Sequence, residues 1–170
     1  QSVEFQLTNM NKEKKVEDLD VDLRKYIAPA IRYFESKKFE ILDVEKVVVN
    51  EKQGYAGTAD AVGKTPCGKK FILDWKSRKF GNRKVVPYDG QPEQVSAYGA
   101  GYFGEDAVKN EEVWGINVFV STDRFTSDGE SEIVVTSYSP KDMAKNYETF
   151  CLVCEIWRRV EKYDPRKECA

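Results

Sequence analysis

The spacing of apolar residues changes period along this chain, and the order of those changes leaves few folds open to it. Between Val21 and Lys37, Leu23, Ile27, Ala30, Ile31 and Phe34 recur at the spacing of an amphipathic helix, which Pro29 can kink. The pattern then shortens. Ile41–Asn50, Tyr55–Gly63 and Lys70–Lys76 read as strands, separated by the turn-like Lys52-Gln53-Gly54 and Pro66-Cys67-Gly68. Connections that short join antiparallel neighbours, so the three make a meander. A loop over Ser77–Pro87 and a helix from Gln91 to about Phe103 follow. Val113–Ser121, where Trp114, Ile116, Val118 and Val120 alternate, and Glu132–Tyr138 are two further strands. Ser139-Pro140 opens a last helix that runs to about Tyr163, with proline at its first position. A helix crossover can return a strand parallel to its predecessor. The expectation is therefore a layered α/β domain, a central mixed β-sheet flanked by helices, filling residues 1–170 as one unit. Residues 1–18 are polar and weakly periodic, and read as a loose arm or a short strand.

Composition removes several chemistries. The chain has 0 histidines, so it has no Ser-His-Asp triad, no Cys-His nucleophile pair and no His-ligated zinc. No apolar run approaches the roughly 18 residues that span a bilayer. Gln1–Met10 also lacks the basic-then-apolar layout of a secretory signal, so an intracellular, soluble protein without a membrane partner is expected. Cys67, Cys151, Cys154 and Cys169 are then expected to be reduced. Cys151 and Cys154 form a C-x2-C that could begin a metal or iron–sulfur site. The plainer reading places both on the inner face of the last helix among Tyr147, Phe150 and Trp157, since free cysteine is a common core residue. A net charge of −2 says nothing of nucleic acid. Its distribution says more: Lys76, Arg78, Lys79, Arg83 and Lys84 place five cations within nine residues, with no anion among them. Taken alone, such a run is a solvated surface.

Asp60 and Asp74 are equidistant from Cys67, the middle of the second turn. A hairpin centred there sets the two carboxylates opposite each other on one face, with Cβ atoms about 5 Å apart. Lys76 shares that face and Trp75 points to the other. A slip of one residue would separate them. Two carboxylates so close repel each other unless a cation lies between them, and Mg²⁺ favours one or two carboxylates plus water. The backbone carbonyl of Trp75 would project nearby as a further ligand. Lys76 would then assist a metal-bound water or stabilise charge developing on a phosphate. A D-x-K tripeptide by itself is commonplace and is more often a surface salt bridge. Gln94 and Tyr98 stand at i and i+4, on one face of the predicted helix. Glu45 lies on the preceding strand, which folds back around Gln53 towards Asp60. Its parity is open by one residue, and a surface role is equally open.

Taken in order, Gly57-Thr58-Ala59-Asp60, Asp74-Trp75-Lys76 and Gln94-Val95-Ser96-Ala97-Tyr98 give GxxD, DxK and QxxxY. This ordered set resembles the RecB-like nucleases of the PD-(D/E)XK superfamily. Tyr55–Gly104 is similar in particular to the mitochondrial genome maintenance exonucleases and their phage and bacterial relatives, a likeness that covers roughly residues 41–104. The resemblance implies a restriction-endonuclease-like core and a deoxyribonuclease dependent on Mg²⁺ or Mn²⁺. It further implies an exonuclease preferring single-stranded DNA ends, at work in replication, recombination or repair. Asp60 and Asp74 would be metal ligands, with Glu45 a softer candidate, and Lys76 the catalytic lysine. Gln94 and Tyr98 would orient the DNA backbone or that lysine. Ser77, Arg78, Lys79, Arg83, Lys84 and Tyr88 would engage DNA, and Phe80, Tyr88 and Tyr102 would stack exposed bases. The chain also departs from the family. Relatives carry a His or Glu on an upstream helix that completes the metal site; here only Glu35 offers itself, late on its helix. The cysteine spacing does not match the iron–sulfur members, so no iron–sulfur cluster is expected. These departures keep two other readings open, a catalytically inert DNA-binding module and a structural recruitment domain.

Overall fold

In the computed structural model, residues 21–167 are described; the arm expected over residues 1–18, and Cys169, lie outside them. The elements are α1 (Val21–Lys37), β1 (Glu40–Asn50), β2 (Tyr55–Lys64), β3 (Lys70–Arg78), α2 (Gln91–Phe103), the short α3 (Glu105–Lys109), β4 (Val113–Phe125), β5 (Ser131–Tyr138) and α4 (Pro140–Glu161), followed by a single 3₁₀ turn at Pro165–Lys167. Their order is the one the periodicity predicts, with α3 and the 3₁₀ turn added.

The five strands form one sheet in the order β1-β2-β3-β4-β5. β1, β2 and β3 are the expected antiparallel meander, and β2–β3 is centred on Cys67 through Ala61↔Leu73, Val62↔Ile72 and Gly63↔Phe71. The crossover through α2 and α3 returns β4 parallel to β3, and β5 pairs with β4 antiparallel. The sheet is thus mixed.

Both faces are covered. Against one, α1 packs Ala30, Tyr26 and Phe34 on Ala61, Phe71, Leu73, Trp75, Ile116 and Val118. Against the other, α2, α3 and α4 bring Val95, Ala100, Val108, Met143 and Tyr147 onto Val48, Val62, Ile72 and Val113. β4 reads as a nearly continuous apolar run because it is buried on both faces. A capping box starts α4: the Ser139 hydroxyl accepts from the Asp142 N–H, and the Asp142 carboxylate accepts from the Ser139 N–H at 3.0 Å. The inner face of α4 is less apolar than its sequence suggests. Cys151 and Cys154 are half-buried and free, Arg158 is buried, and Trp157 turns outward at 47% exposure beside the exposed Leu152, Ile156 and Val160. Trp157 is therefore not a core residue. No helix among the described residues is long and apolar enough to cross a membrane.

A polar network ties the β1–β2 turn to the helical layer. Asn50 Nδ2 donates to Glu105 Oε1 and to the Tyr147 hydroxyl, each at 3.2 Å, and Lys109 and Lys52 reach Glu105 Oε2 at 2.8 and 3.2 Å. Burial works against ionisation of Glu105, but the hydrogen bonds from Lys109, Asn50, Tyr147 and Lys52 outweigh it and hold the carboxyl at about 2. A carboxyl depressed in this way stabilises the fold above its unfolded value near 4.5, and that stabilisation is lost as pH falls towards 2. Glu105→Gln is expected to lower stability at neutral pH by on the order of 2 kcal/mol and to flatten the loss between pH 4.5 and 2. Denaturant midpoints measured across that range check both effects.

Candidate active site

The ladder between β2 and β3 stops at Ala61↔Leu73. Beyond it β2 stays paired to β1 as far as Tyr55, and β3 to β4 as far as Arg78. The sheet is therefore forked, and extending the register by one pair puts Asp60 opposite Asp74 at the fork. There Asp60 Oδ2 accepts the backbone N–H of Trp75 at 2.6 Å. A side-chain carboxylate has taken the place of a backbone acceptor, which satisfies the orphaned N–H and holds Asp60 over β3. The alternation of β2 breaks at the same place. Ala59 and Val62, three residues apart, both pack in the α2-side core. Lys46↔Ala59 and Val44↔Ala61 leave Glu45 across from Asp60, and Glu45 takes the left-handed conformation at φ 47° with its side chain exposed. A non-glycine residue there costs on the order of 1 kcal/mol or more, and such positions gather at functional sites.

Asp74 is 2% exposed and faces the α2 side, whereas Trp75 faces α1 and packs edge-on against Phe34 with ring centroids 5.3 Å apart. The Asp74 carboxylate accepts from Lys76 Nζ at 2.9 Å and from Asn117 Nδ2 at 2.9 Å. Asn117 is its register partner on β4, and Asn117 Oδ1 accepts from the Tyr138 hydroxyl at 2.7 Å.

From above, α2 delivers Tyr98. A Cβ at Gly57 would lie 2.5 Å from Tyr98 Cε1, so the glycine of GxxD is the space the phenol ring occupies. Burial first, then the charges of Asp74 and Asp60, push the Tyr98 hydroxyl above its ordinary value, while a hydrogen bond with Gln94 pulls the other way. Asp60, Asp74, Gln94 and Tyr98 are therefore neighbours, with Lys76 bound to Asp74. Glu93, Asn117 and Tyr138 belong to the same region and were not singled out from the sequence. Glu93 Oε2 is buried without a hydrogen-bond partner, and after burial the charges of Asp74 and Glu93 raise the Tyr138 hydroxyl further. One signal was available: Asn117 is a polar residue in the midst of an apolar strand.

The expected DNA-contacting residues divide into two groups. Ser77, Lys79, Arg83 and Lys84 are exposed, and so is Tyr88, at 62%. Arg78 is half-buried, its guanidinium between the Tyr88 and Phe119 rings at 4.1 and 4.4 Å, and it donates to the Val86 carbonyl. It pins the basic loop. Phe80 is 6% exposed beneath the Arg124 guanidinium, with its N–H bonded to Asp123 at 2.7 Å, so its ring does not stack bases. Tyr102 donates its hydroxyl to the Asp43 carboxylate. Glu35 is exposed on α1, which packs on the sheet face opposite Asp74, and it does not join the carboxylates.

No group of three or more His, Cys, Asp or Glu side chains among the described residues is arranged to hold a metal ion. The two carboxylates at the fork are of the kind taken by a hard cation such as Mg²⁺, which uses one or two carboxylates and keeps several waters; the Trp75 backbone group that meets Asp60 is its N–H, which is no ligand.

No protein-family model matches the chain, and no curated protein does. Among solved structures, the crystal structure of SSO0001 is similar at 12% identity over 89% of this chain and 71% of that one, with a TM-score of 0.39, a likeness too loose to carry an argument.

Gly57→Ala is expected to cost about 1–3 kcal/mol, because the added methyl overpacks against Tyr98. The same substitution in a Tyr98→Ala background should cost almost nothing. Unfolding of the four chains in denaturant measures this coupling. An equal cost in both backgrounds would show that the glycine does not serve the ring.

Proposed function

We propose that this protein is a metal-dependent deoxyribonuclease of the PD-(D/E)XK kind, hydrolysing DNA phosphodiesters and acting as an exonuclease on single-stranded ends. The observation that carries the reading is the fork. Where β2 and β3 part, two carboxylates, an amine and a phenol meet, and each belongs to a motif found in order along the chain.

Asp60 and Asp74 would hold the cation, Mg²⁺ or Mn²⁺. When bound, such an ion neutralises phosphate charge and makes water a stronger nucleophile. Lys76 is held beside Asp74 at 2.9 Å and is partly open to solvent, where its ammonium can meet a phosphate oxygen or exchange a proton with water. Gln94 and Tyr98 orient the substrate backbone from α2. Lys79, Arg83 and Lys84 lie on the exposed loop that follows β3 and draw the polyanion towards the fork.

Asp74→Ala is expected to abolish cleavage of end-labelled single-stranded DNA in Mg²⁺, and Lys76→Ala to slow it at least ~100-fold, with DNA binding kept in both. Undiminished cleavage in both variants would sink the mechanism. The absence of a third metal-ligating side chain among the described residues favours one rival, an inert DNA-binding module on the same fold. That rival requires salt-sensitive DNA binding with no turnover by the wild-type chain in Mg²⁺ or Mn²⁺. Both readings share a further expectation: replacing Arg83 and Lys84 by alanine together reduces the slope of log affinity against log salt by about 1–2. Equilibrium binding from low to moderate salt measures it.

A further inference from the structure

We infer that Asn117 is a positioning residue for Asp74, and that Tyr138 sets which way its amide faces. This inference rests on the proposed cation site and adds to it a column of side chains running from the sheet interior to the fork.

A primary amide can sit either way round, with nearly the same shape and opposite chemistry. Here both ends are determined. Tyr138 is buried, and burial together with the charges of Asp74 and Glu93 keeps its hydroxyl protonated. Its single proton goes to Asn117 at 2.7 Å, so the accepting atom is the amide oxygen. The NH₂ end is thereby turned to Asp74, reaching Oδ2 at 2.9 Å. A carboxylate welcomes only a donor, so the arrangement is consistent from either end.

The position in the fold makes the role specific. Asn117 is 0% exposed and lies between Ile116 and Val118 in a strand buried on both faces. An amide in such surroundings is costly unless its polar atoms are bonded, and leucine would fill the same space. The observed bonds go to Asp74 and Tyr138. Lys76 Nζ lies 2.9 Å from both carboxylate oxygens, and the Asn117 amide, gripping Oδ2 from within the sheet, fixes the plane of the carboxylate before any cation arrives. Outer partners of this kind typically change metal affinity by about 10–100-fold.

The test is calorimetric titration of Mn²⁺ without DNA, a readout separate from catalysis, with thermal unfolding of each chain in parallel. The variants are Tyr138→Phe and the double replacement Asn117→Leu/Tyr138→Phe, which removes both ends of the inner hydrogen bond and leaves the Asp74 carboxylate to Lys76. We expect the double variant to unfold cooperatively and to bind Mn²⁺ about 10–100-fold more weakly. Tyr138→Phe alone, which frees the amide to turn over, should weaken binding several-fold. If the wild type binds Mn²⁺ and both folded variants bind it within twofold, the positioning role is overturned while the cation site stands. If the double variant does not fold, Tyr138→Phe decides by the same criterion. Wild-type protein that takes up no Mn²⁺ overturns the cation site and this inference with it.

Discussion

The hydrogen bond from the Trp75 N–H to the Asp60 carboxylate occupies the point where two strands cease to be one ladder. Parting β2 from β3 leaves backbone groups without their usual partners, and in a buried sheet each such loss costs about 1–3 kcal/mol. Asp60 offsets that cost with its own side chain, which is why the fork can open at this residue and not elsewhere along the hairpin. The same bond sets Asp60 beside Asp74, because Trp75 follows Asp74 directly in the chain. Gly57 then leaves room in the opening for the ring of Tyr98.

Around this opening the two faces of the sheet do different work. Trp75, Leu73 and Phe71 point towards α1 and form an ordinary apolar core. Asp74 and Lys76 point to the other face, where burying a carboxylate demands donors. Lys76 supplies one from the solvent side and Asn117 one from within the sheet. The parallel pairing of β3 with β4 makes the second possible, since it sets Asp74 beside Asn117 in register.

Much of this was legible from residue order, for identifiable reasons. Turns as short as those around Gln53 and Cys67 leave little choice of register, and the equal distance of Asp60 and Asp74 from Cys67 survives in the observed pairing. What failed to show was whatever depends on a break in regularity. The left-handed Glu45 and the loss of alternation at Asp60 are local exceptions that a period-2 pattern cannot announce. On α4 the difficulty differs. Leu152, Val153, Ile156, Trp157 and Val160 are apolar, yet the buried side carries Tyr147, the cysteines and Arg158, whose Nη1 donates to the Gln53 carbonyl at 2.9 Å. A helix with apolar residues on both sides gives its period no inner face to report. Phe80 misleads for a related reason: a phenylalanine among cations looks exposed, but Asp123 draws its backbone inward through the N–H groups of Phe80 and Gly81.

Topology also explains why the third motif lies where it does. A strand that must return parallel needs a crossover, and the helix of that crossover begins at the end of the sheet where β3 has just finished. α2 accordingly comes back over the fork, where Tyr98 lies against Gly57. Residues placed there meet the fork without any long-range loop having to close. Gln94 and Tyr98, one turn apart, use that position, and Glu93 adds a carboxylate in the first turn, where the helix dipole favours negative charge. The loop between β3 and α2 is held near both ends, by Asp123 at Phe80 and by Gln91, whose side chain accepts from the Tyr88 N–H at 2.7 Å. Arg78 braces it between two rings. Lys79, Arg83 and Lys84 are thus exposed on a restrained backbone, which on the proposed reading leaves less conformational freedom to be lost to a bound strand of phosphates. On the proposed deoxyribonuclease reading, a free loop with the same charges would attract DNA at a larger cost in conformational freedom.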